Sequence, residues 1–447
     1  MKDYQKTTLG YSFILLLFLV FNSCQKSEPI ELASVDFQAG VDKLTEIMVH
    51  DIFSPPVASR IYAYPNIAAY EIVAVNSENY HSLHGQITAL PQIPKASDPN
   101  VNIQLAALIA YMDVGKLLIF SEDKMTDFRD DLYVKWSNQN KKVFEASQTY
   151  GLEVSALIQT WIDKDFYKET RTMPKFTVDS DDPSRWQPTP PAYMDGIEPA
   201  WNKIRTLVLD SAAQFMPTRH PDFSMDKDSD FYKELKEVYD VSNEITSKGD
   251  ESEEVSIARF WDCNPYVSVT RGHLMFATKK ITPGAHWIGI TKIACNKRNL
   301  NFEETLHAYT KTSIAIFDAF ISCWDEKYRS NLIRPETLIN NHIDDQWEPI
   351  LQTPPFPEYP SGHSVVSGAA SIVLTEIFGD DFNFDDDTEQ PYGLPIRSFP
   401  SFIDAAKEAA ISRLYGGIHY MAAVENGVDQ GFNVGNLVVR SLDMKTN

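Results

Sequence analysis

Cysteine is scarce in this chain. Its 447 residues hold four, Cys24, Cys263, Cys295 and Cys323, with no CxxC spacing among them. Thiols so few and so scattered make neither the disulfide framework of a small secreted domain nor a zinc site. Cys263, Cys295 and Cys323 therefore read as buried free thiols, with one disulfide left open in an oxidising compartment. Positive charge is also short, with 40 Lys and Arg against 62 Asp and Glu and a formal net charge of −22. So acidic a surface excludes electrostatic docking on nucleic acid or on anionic lipid. Long hydrophobic runs are missing apart from Tyr11 to Phe21, which is too short to cross a bilayer comfortably. Regular period-two alternation and internal repeats are missing too, so few or no strands are expected.

That one apolar run has a context. Lys2 and Lys6 precede it and Asn22-Ser23-Cys24 follow it, the pattern of a bacterial lipoprotein signal, although Phe21 replaces the usual leucine. The expectation is a signal over residues 1–23, lipidation at Cys24 and a tether over 24–34. Lipidation would leave an exported protein facing the periplasm or on the outer membrane, held by its lipid alone. Residues 1–23 carry Lys2, Lys6 and Asp3, so the remainder has a net charge of −23.

A hydrophobic content of 43% suffices for one large domain or two closely packed ones. Helical patterning fills Val35 to Val75, interrupted at Ser54-Pro55-Pro56, and continues from Val101 to Lys164. Pro174 to Pro199 reads as an extended surface crossing. Helices return over Phe231 to Ser247, Glu253 to Cys263 and Ile281 to Asn296, ahead of a long helix from Glu303 to Ile333. Gly379 to Ser401 reads as an acidic loop. The fold class is all-α, divided into an N-terminal helical region, 35–299, and a core, 300–447.

The chemistry concentrates in that core. Lys327 and Arg334 are seven residues apart, close to two helical turns, so both leave one helix face. Pro335 biases Arg334 away from helical geometry and ends the helix. Ser361 directly precedes the apolar run Val365, Val366, Ala369, Ile372, Val373, where a helix cap belongs. Gly362 and His363 then fall in a first turn, beside free N–H groups and the positive end of the dipole. Arg413 and His419 would point about 120° apart on an unbroken helix, so Gly416-Gly417 must bend or unwind the chain between them. Two guanidiniums, an ammonium, a hydroxyl, helix-start N–H groups and two histidines make a pocket for a tetrahedral oxyanion.

These residues resemble, in order and spacing, the three-part signature of vanadium-dependent haloperoxidases and type 2 phosphatidic acid phosphatases. The matching segments are Lys327 to Pro335, Pro360 to His363 and Ser412 to His419, within a region from Glu303 to Arg440. The stretches FDAFISCWDEKY, PPFPEYPSGH and SRLYGGIHY are similar to those of soluble bacterial haloperoxidase-like proteins. The resemblance implies a helical bundle of the haloperoxidase and acid phosphatase type, with additional N-terminal helices packed around it. It further implies vanadate bound to His419, with Lys327, Arg334, Ser361, Gly362 and Arg413 neutralising the oxygens. His363 would be the acid/base, Lys327 would assist, and hydrogen peroxide and a halide would be the substrates. The alternative is a phosphomonoesterase without cofactor, in which His419 attacks phosphorus to give a phosphohistidine. A weaker alternative is a surface lipoprotein that binds an oxyanion without turnover. The exported helical N-terminal part favours the haloperoxidase reading.

The signature has one gap. Phosphatases of this superfamily carry an aspartate four residues after the second histidine, where it orients the ring, and here that position is Ala423. Glu425, Asp429 or a backbone carbonyl are the candidates to replace it. Ser364 occupies a position that varies with halide preference in the family. Other features have plainer readings. Asp381, Asn383 and Asp385 alternate as in a calcium loop, but Asp386 replaces the required glycine and Tyr392 the last ligand, so a solvated acidic loop is expected. His50-Asp51, His286-Trp287 and Arg259-Phe260-Trp261 are expected to pack around the site.

Overall fold

The computed structural model describes residues 28–271, 274–277 and 279–446. The expected signal, Cys24 and most of the tether lie outside the described residues. Among those described there are thirteen α-helices and two small two-stranded sheets, and no helix is long and apolar enough to cross a membrane.

Two helices separated by a proline pair come first among the described residues. Helix α1 (Ser34–Asp51) ends at Ile52, and α2 (Pro55–Val75) starts from Ser54, whose side chain accepts a hydrogen bond from the Val57 N–H. The Ser-Pro-Pro interruption is thus a cap followed by prolines in the first turn, where a missing N–H costs nothing. Helix α2 is apolar on nearly every face because it is buried on nearly every face. Around it lie α3 (Ile103–Lys116) and α4 (Glu122–Ile162), which is broken internally at Asn140. After the one-turn α5 (Tyr167–Thr170), the proline-rich crossing is irregular as expected, but it is not wholly on the surface. Its Trp186 is fully buried and its backbone N–H donates to the Asn331 carbonyl. Helices α6 (Asp230–Lys248), α7 (Glu253–Phe260) and α8 (Pro283–Lys297) follow.

The site is delivered by the last five helices. Helix α9 (Phe302–Ser330) opens with a reciprocal cap between Asn301 and Glu304 and closes at Asn331 in a left-handed conformation, one turn earlier than the pattern suggested. Pro335 then begins α10 (Pro335–His342), with Arg334 as its N-cap. Helix α11 (Gly362–Phe378) starts at Ser361, whose hydroxyl accepts from the Ser364 N–H at 3.3 Å. Helix α12 (Phe402–Tyr415) stops at Gly416-Gly417, where Gly417 has φ of +76°. Helix α13 (Met421–Ser441) resumes beyond His419. Helices α11 and α13 approach closely: a Cβ on Gly431 would meet the Val365 carbonyl oxygen at 2.2 Å.

The few strands expected form two short pairs. Ser268–Arg271 (β1) pairs with Leu274–Ala277 (β2), and Phe384–Asp386 (β3) pairs with Arg397–Phe399 (β4). The second pair lies inside the segment read as an acidic loop. Each strand is only three or four residues long, too short for alternation to be legible. One apolar core runs from Ile30 and Phe37 to Val438 and Met444, so helices on both sides of residue 300 share it.

Candidate active site

Each segment brings its polar side chain to one buried point for a local reason. Lys327, in the last turn of α9, is fully buried, and its ammonium donates to the carbonyls of Pro357 and Glu358 at 3.0 Å each and to that of Pro360. It lies 5.0 Å from the Phe356 ring centroid. Burial pushes its pKa down to about 7, with Arg334 adding to the effect and Cys323 and Glu358 opposing it. Arg334 donates from Nε to the Phe356 carbonyl at 3.0 Å and from Nη1 to the Ile418 carbonyl at 2.8 Å. Its Nη2 is buried with no partner, and burial holds the guanidinium down to about 10.

In the last turn of α12, before the Gly416-Gly417 break, Arg413 donates from Nη2 to the Trp261 carbonyl at 3.0 Å and from Nε to Ser412 Oγ at 3.1 Å. Gly362 lies against Lys327: a Cβ there would be 3.9 Å from Lys327 Cε and 3.5 Å from the Trp324 ring. His363, one residue into α11, donates a ring N–H toward the Trp261 carbonyl, and its pKa is held well below the ordinary imidazole value by burial, Arg413 and His286. Its Nε2 and the Ser364 hydroxyl oxygen are buried without partners. A cavity lies here, lined by Phe320, Trp324, Phe356 and Tyr266 together with His363 and His419.

His419 carries the strongest constraint. Its Nε2 is 3.2 Å from Arg334 Nη1; a guanidinium can only donate, so Nε2 must be the lone-pair nitrogen and Nδ1 the N–H. That N–H donates to Glu358 Oε1 at 2.7 Å, and the same oxygen accepts from the Tyr420 backbone N–H at 3.0 Å. Burial, then Arg334, Lys327, Arg413 and His363, hold the imidazole well below its usual pKa. His419 is therefore neutral, with its Nε2 lone pair accepting from Arg334 in a pocket that also holds Lys327 and Arg413.

The chain is closely similar to a solved relative. The crystal structure of the first bacterial vanadium-dependent iodoperoxidase is 65% identical, covers 94% of this chain and 100% of that one, and superposes with a TM-score of 0.91. This chain belongs to the vanadium-dependent haloperoxidases. A family model described as the VCPO second helical-bundle domain matches residues 307–447. A holo-type bacterial vanadium-dependent chloroperoxidase shares the fold at 17% identity and a TM-score of 0.69, with 92% of this chain and 98% of that one covered. No curated protein matches.

The donor set of this haloperoxidase fits vanadate. Three cationic side chains, the unpartnered Arg334 Nη2 and His363 Nε2, and a histidine nitrogen held as a lone pair are what a multiply charged oxyanion with one protein ligand requires. All the signature residues, Lys327, Arg334, Ser361, Gly362, His363, Arg413 and His419, converge. Lys327 contributes differently from expectation, because it spends its N–H groups on three carbonyls. Ser361 is the expected helix cap, and since its hydroxyl oxygen only accepts there, its O–H is left to donate to an anion.

Glu358 is the functional residue that the sequence reading missed. Neither Glu425 nor Asp429 orients His419; the carboxylate comes from the loop that leads into Pro360. The signal was present in the stretch PPFPEYPSGH, where an acidic residue stands five positions before His363. Ala423 instead supplies its carbonyl oxygen to the Ser361 N–H. Other expectations are corrected too. Arg259 is exposed and pairs with Asp250 at 3.1 Å, while Asp51 caps the turn at Phe120 and Ser121. His50 is exposed beside Lys279. Phe260, Trp261, His286 and Trp287 are buried as expected.

Proposed function

We propose that this haloperoxidase oxidises iodide with hydrogen peroxide, at vanadate held by His419. The observation that carries the reading is the Glu358 to His419 to Arg334 chain, which presents a neutral imidazole nitrogen to a cationic, buried pocket. Iodide is favoured over chloride or bromide because the 65% identical relative is named an iodoperoxidase.

When bound, vanadate supplies a Lewis-acid centre that activates peroxide without itself changing oxidation state. The chain's own residues do the rest. His419 Nε2 is the ligand, and Glu358 holds its tautomer and ring orientation. Arg334 Nη2 and Arg413 neutralise oxygens of the bound anion, joined by the Gly362 and His363 backbone N–H groups at the start of α11. His363, neutral because its pKa lies well below the ordinary value, can take a proton from incoming peroxide at Nε2. Phe320, Trp324 and Phe356 exclude water around it, which strengthens each of these charge contacts. Export as a lipoprotein through Cys24 is part of the same proposal and rests on the pattern of residues 1–24.

The test is a paired assay on purified protein lacking residues 1–24, with and without orthovanadate, using peroxide with iodide, bromide or chloride. Vanadate-dependent iodide oxidation, lost in His419→Ala, is expected. Bromide oxidised as fast as iodide would overturn the halide assignment. Phosphomonoester hydrolysis without any halide oxidation would overturn the whole reading.

A further inference from the structure

A second polar cluster adjoins the active-site cavity and uses none of the oxyanion-binding residues. Cys263 Sγ is 3.4 Å from His286 Nδ1 and 3.8 Å from Glu389 Oε1, and His286 Nδ1 is 3.4 Å from that same carboxylate oxygen. All three residues are buried, and these are the ligand-type atoms that cluster among the described residues. Ligand atoms about 2.0–2.3 Å from one ion at tetrahedral angles are about 3.3–3.8 Å apart. The three edges match that triangle.

The surroundings point the same way. His286 Nε2 is 2.8 Å from Asp386 Oδ2, and Asp386 Oδ1 accepts from the backbone N–H and hydroxyl of Thr388 at 3.0 and 2.7 Å. With its far nitrogen against a carboxylate, the ring aims Nδ1 at Cys263 and Glu389, the orientation found in carboxylate–histidine–metal arrangements. Trp261 stacks on the imidazole at 4.4 Å and 19°, and Phe260 meets it edge-on. Two carboxylates, one thiol and one imidazole are buried together, and among the described residues neither carboxylate is paired with Lys or Arg. Burying such a set costs free energy unless a positive charge offsets it, either the His286 imidazolium between the two carboxylates or a bound metal ion that replaces its proton.

We propose that Cys263, His286 and Glu389 bind one divalent metal ion, zinc by preference, with Asp386 orienting His286. Thiolate, imidazole and carboxylate together select a borderline ion over magnesium or calcium. Cys263 also lines the active-site cavity. The ion braces the segment just after α7: the Trp261 carbonyl, two residues from Cys263, holds Arg413 and meets His363. The metal ligands are 23 and 103 residues apart along the chain, which is why cysteine spacing alone argued against a zinc site. The acidic loop reading is corrected here as well, since Asp386 and Glu389 are buried.

The test uses the full described chain, freed of metal with a chelator and titrated with Co²⁺ in the absence of vanadate. Tetrahedral thiolate ligation is expected to give intense visible bands and a near-ultraviolet thiolate-to-cobalt band, saturating at one equivalent and displaced by Zn²⁺. Both are expected to persist in His419→Ala and to lose the near-ultraviolet band in Cys263→Ser. Asp386→Asn, which leaves all three ligands in place, is expected to weaken the affinity about 10–100-fold. Absence of these bands in the wild type, or the same near-ultraviolet band in Cys263→Ser, would overturn the proposal. The second result would place the cobalt elsewhere.

Discussion

Glu358 Oε1 and His419 Nδ1 are 2.7 Å apart in a fully buried contact, although 61 residues separate them in the chain. The carboxylate does for this histidine what an aspartate one turn along the next helix does in phosphatases of the superfamily. Because Arg334 donates to the other ring nitrogen, the pair fixes Nε2 as the lone-pair nitrogen, the one that vanadate would take over from Arg334.

Replacing that carboxylate should therefore act on vanadate and not on the fold. Glu358→Gln keeps the shape, but its amide can turn a donor toward Nδ1 and favour the wrong tautomer. Vanadate affinity is expected to fall about 10–100-fold. Titration of iodide-oxidising activity with orthovanadate reads this, and Glu358→Asp should recover part of the loss.

Lys327 makes anion binding depend on pH. Its folded pKa is depressed to about 7, so above that pH the empty site holds a neutral amine that an entering anion must re-protonate. Below about pH 7 the ammonium is already charged and no proton is taken up. Affinity for vanadate or phosphate should thus weaken as pH rises through 7, by up to about tenfold per unit. Lys327→Met should lose this component and retain only the ionisation of the anion itself, measured by calorimetry in buffers of different protonation enthalpy.

His363 should separate binding from turnover. Its Nε2 has no partner and its pKa is held low, which suits a proton acceptor. His363→Ala is expected to lower the peroxide-dependent rate by about 10²–10⁴ while vanadate binding changes much less. An equal loss of both would make it a binding residue instead.

The contact between α11 and α13 sets the position of the whole pocket, and Gly431 permits it. A methyl group there would overlap the Val365 carbonyl oxygen, and overpacking of this kind costs about 1–3 kcal/mol. Gly431→Ala should lower the melting temperature, whereas Gly379→Ala, with open space around it but φ of +101°, should cost only its backbone strain. Thermal denaturation of the two side by side measures the difference.

Local chemistry was legible in the sequence where one residue type determines it. Ser361 before an apolar run gave the cap, Gly416-Gly417 gave the break that turns His419 back toward Arg413, and the helix carrying Lys327 was placed to within a turn at its end. The partners of His419 and His286 were not legible. Glu358 and Asp386 reach their histidines across 61 and 100 residues, and no periodicity records a contact made only by tertiary packing. The same holds for β3 and β4, which are three residues each and close over buried carboxylates that composition alone makes look solvated.

The central claim is that His419 Nε2 is the vanadate ligand. Crystals soaked in orthovanadate and measured across the vanadium absorption edge test it most directly. The account predicts one anomalous peak at bonding distance from His419 Nε2, within reach of Arg334 Nη2 and the Gly362 backbone, and absent in His419→Ala. A vanadium peak elsewhere, or one that persists in that variant, would contradict it.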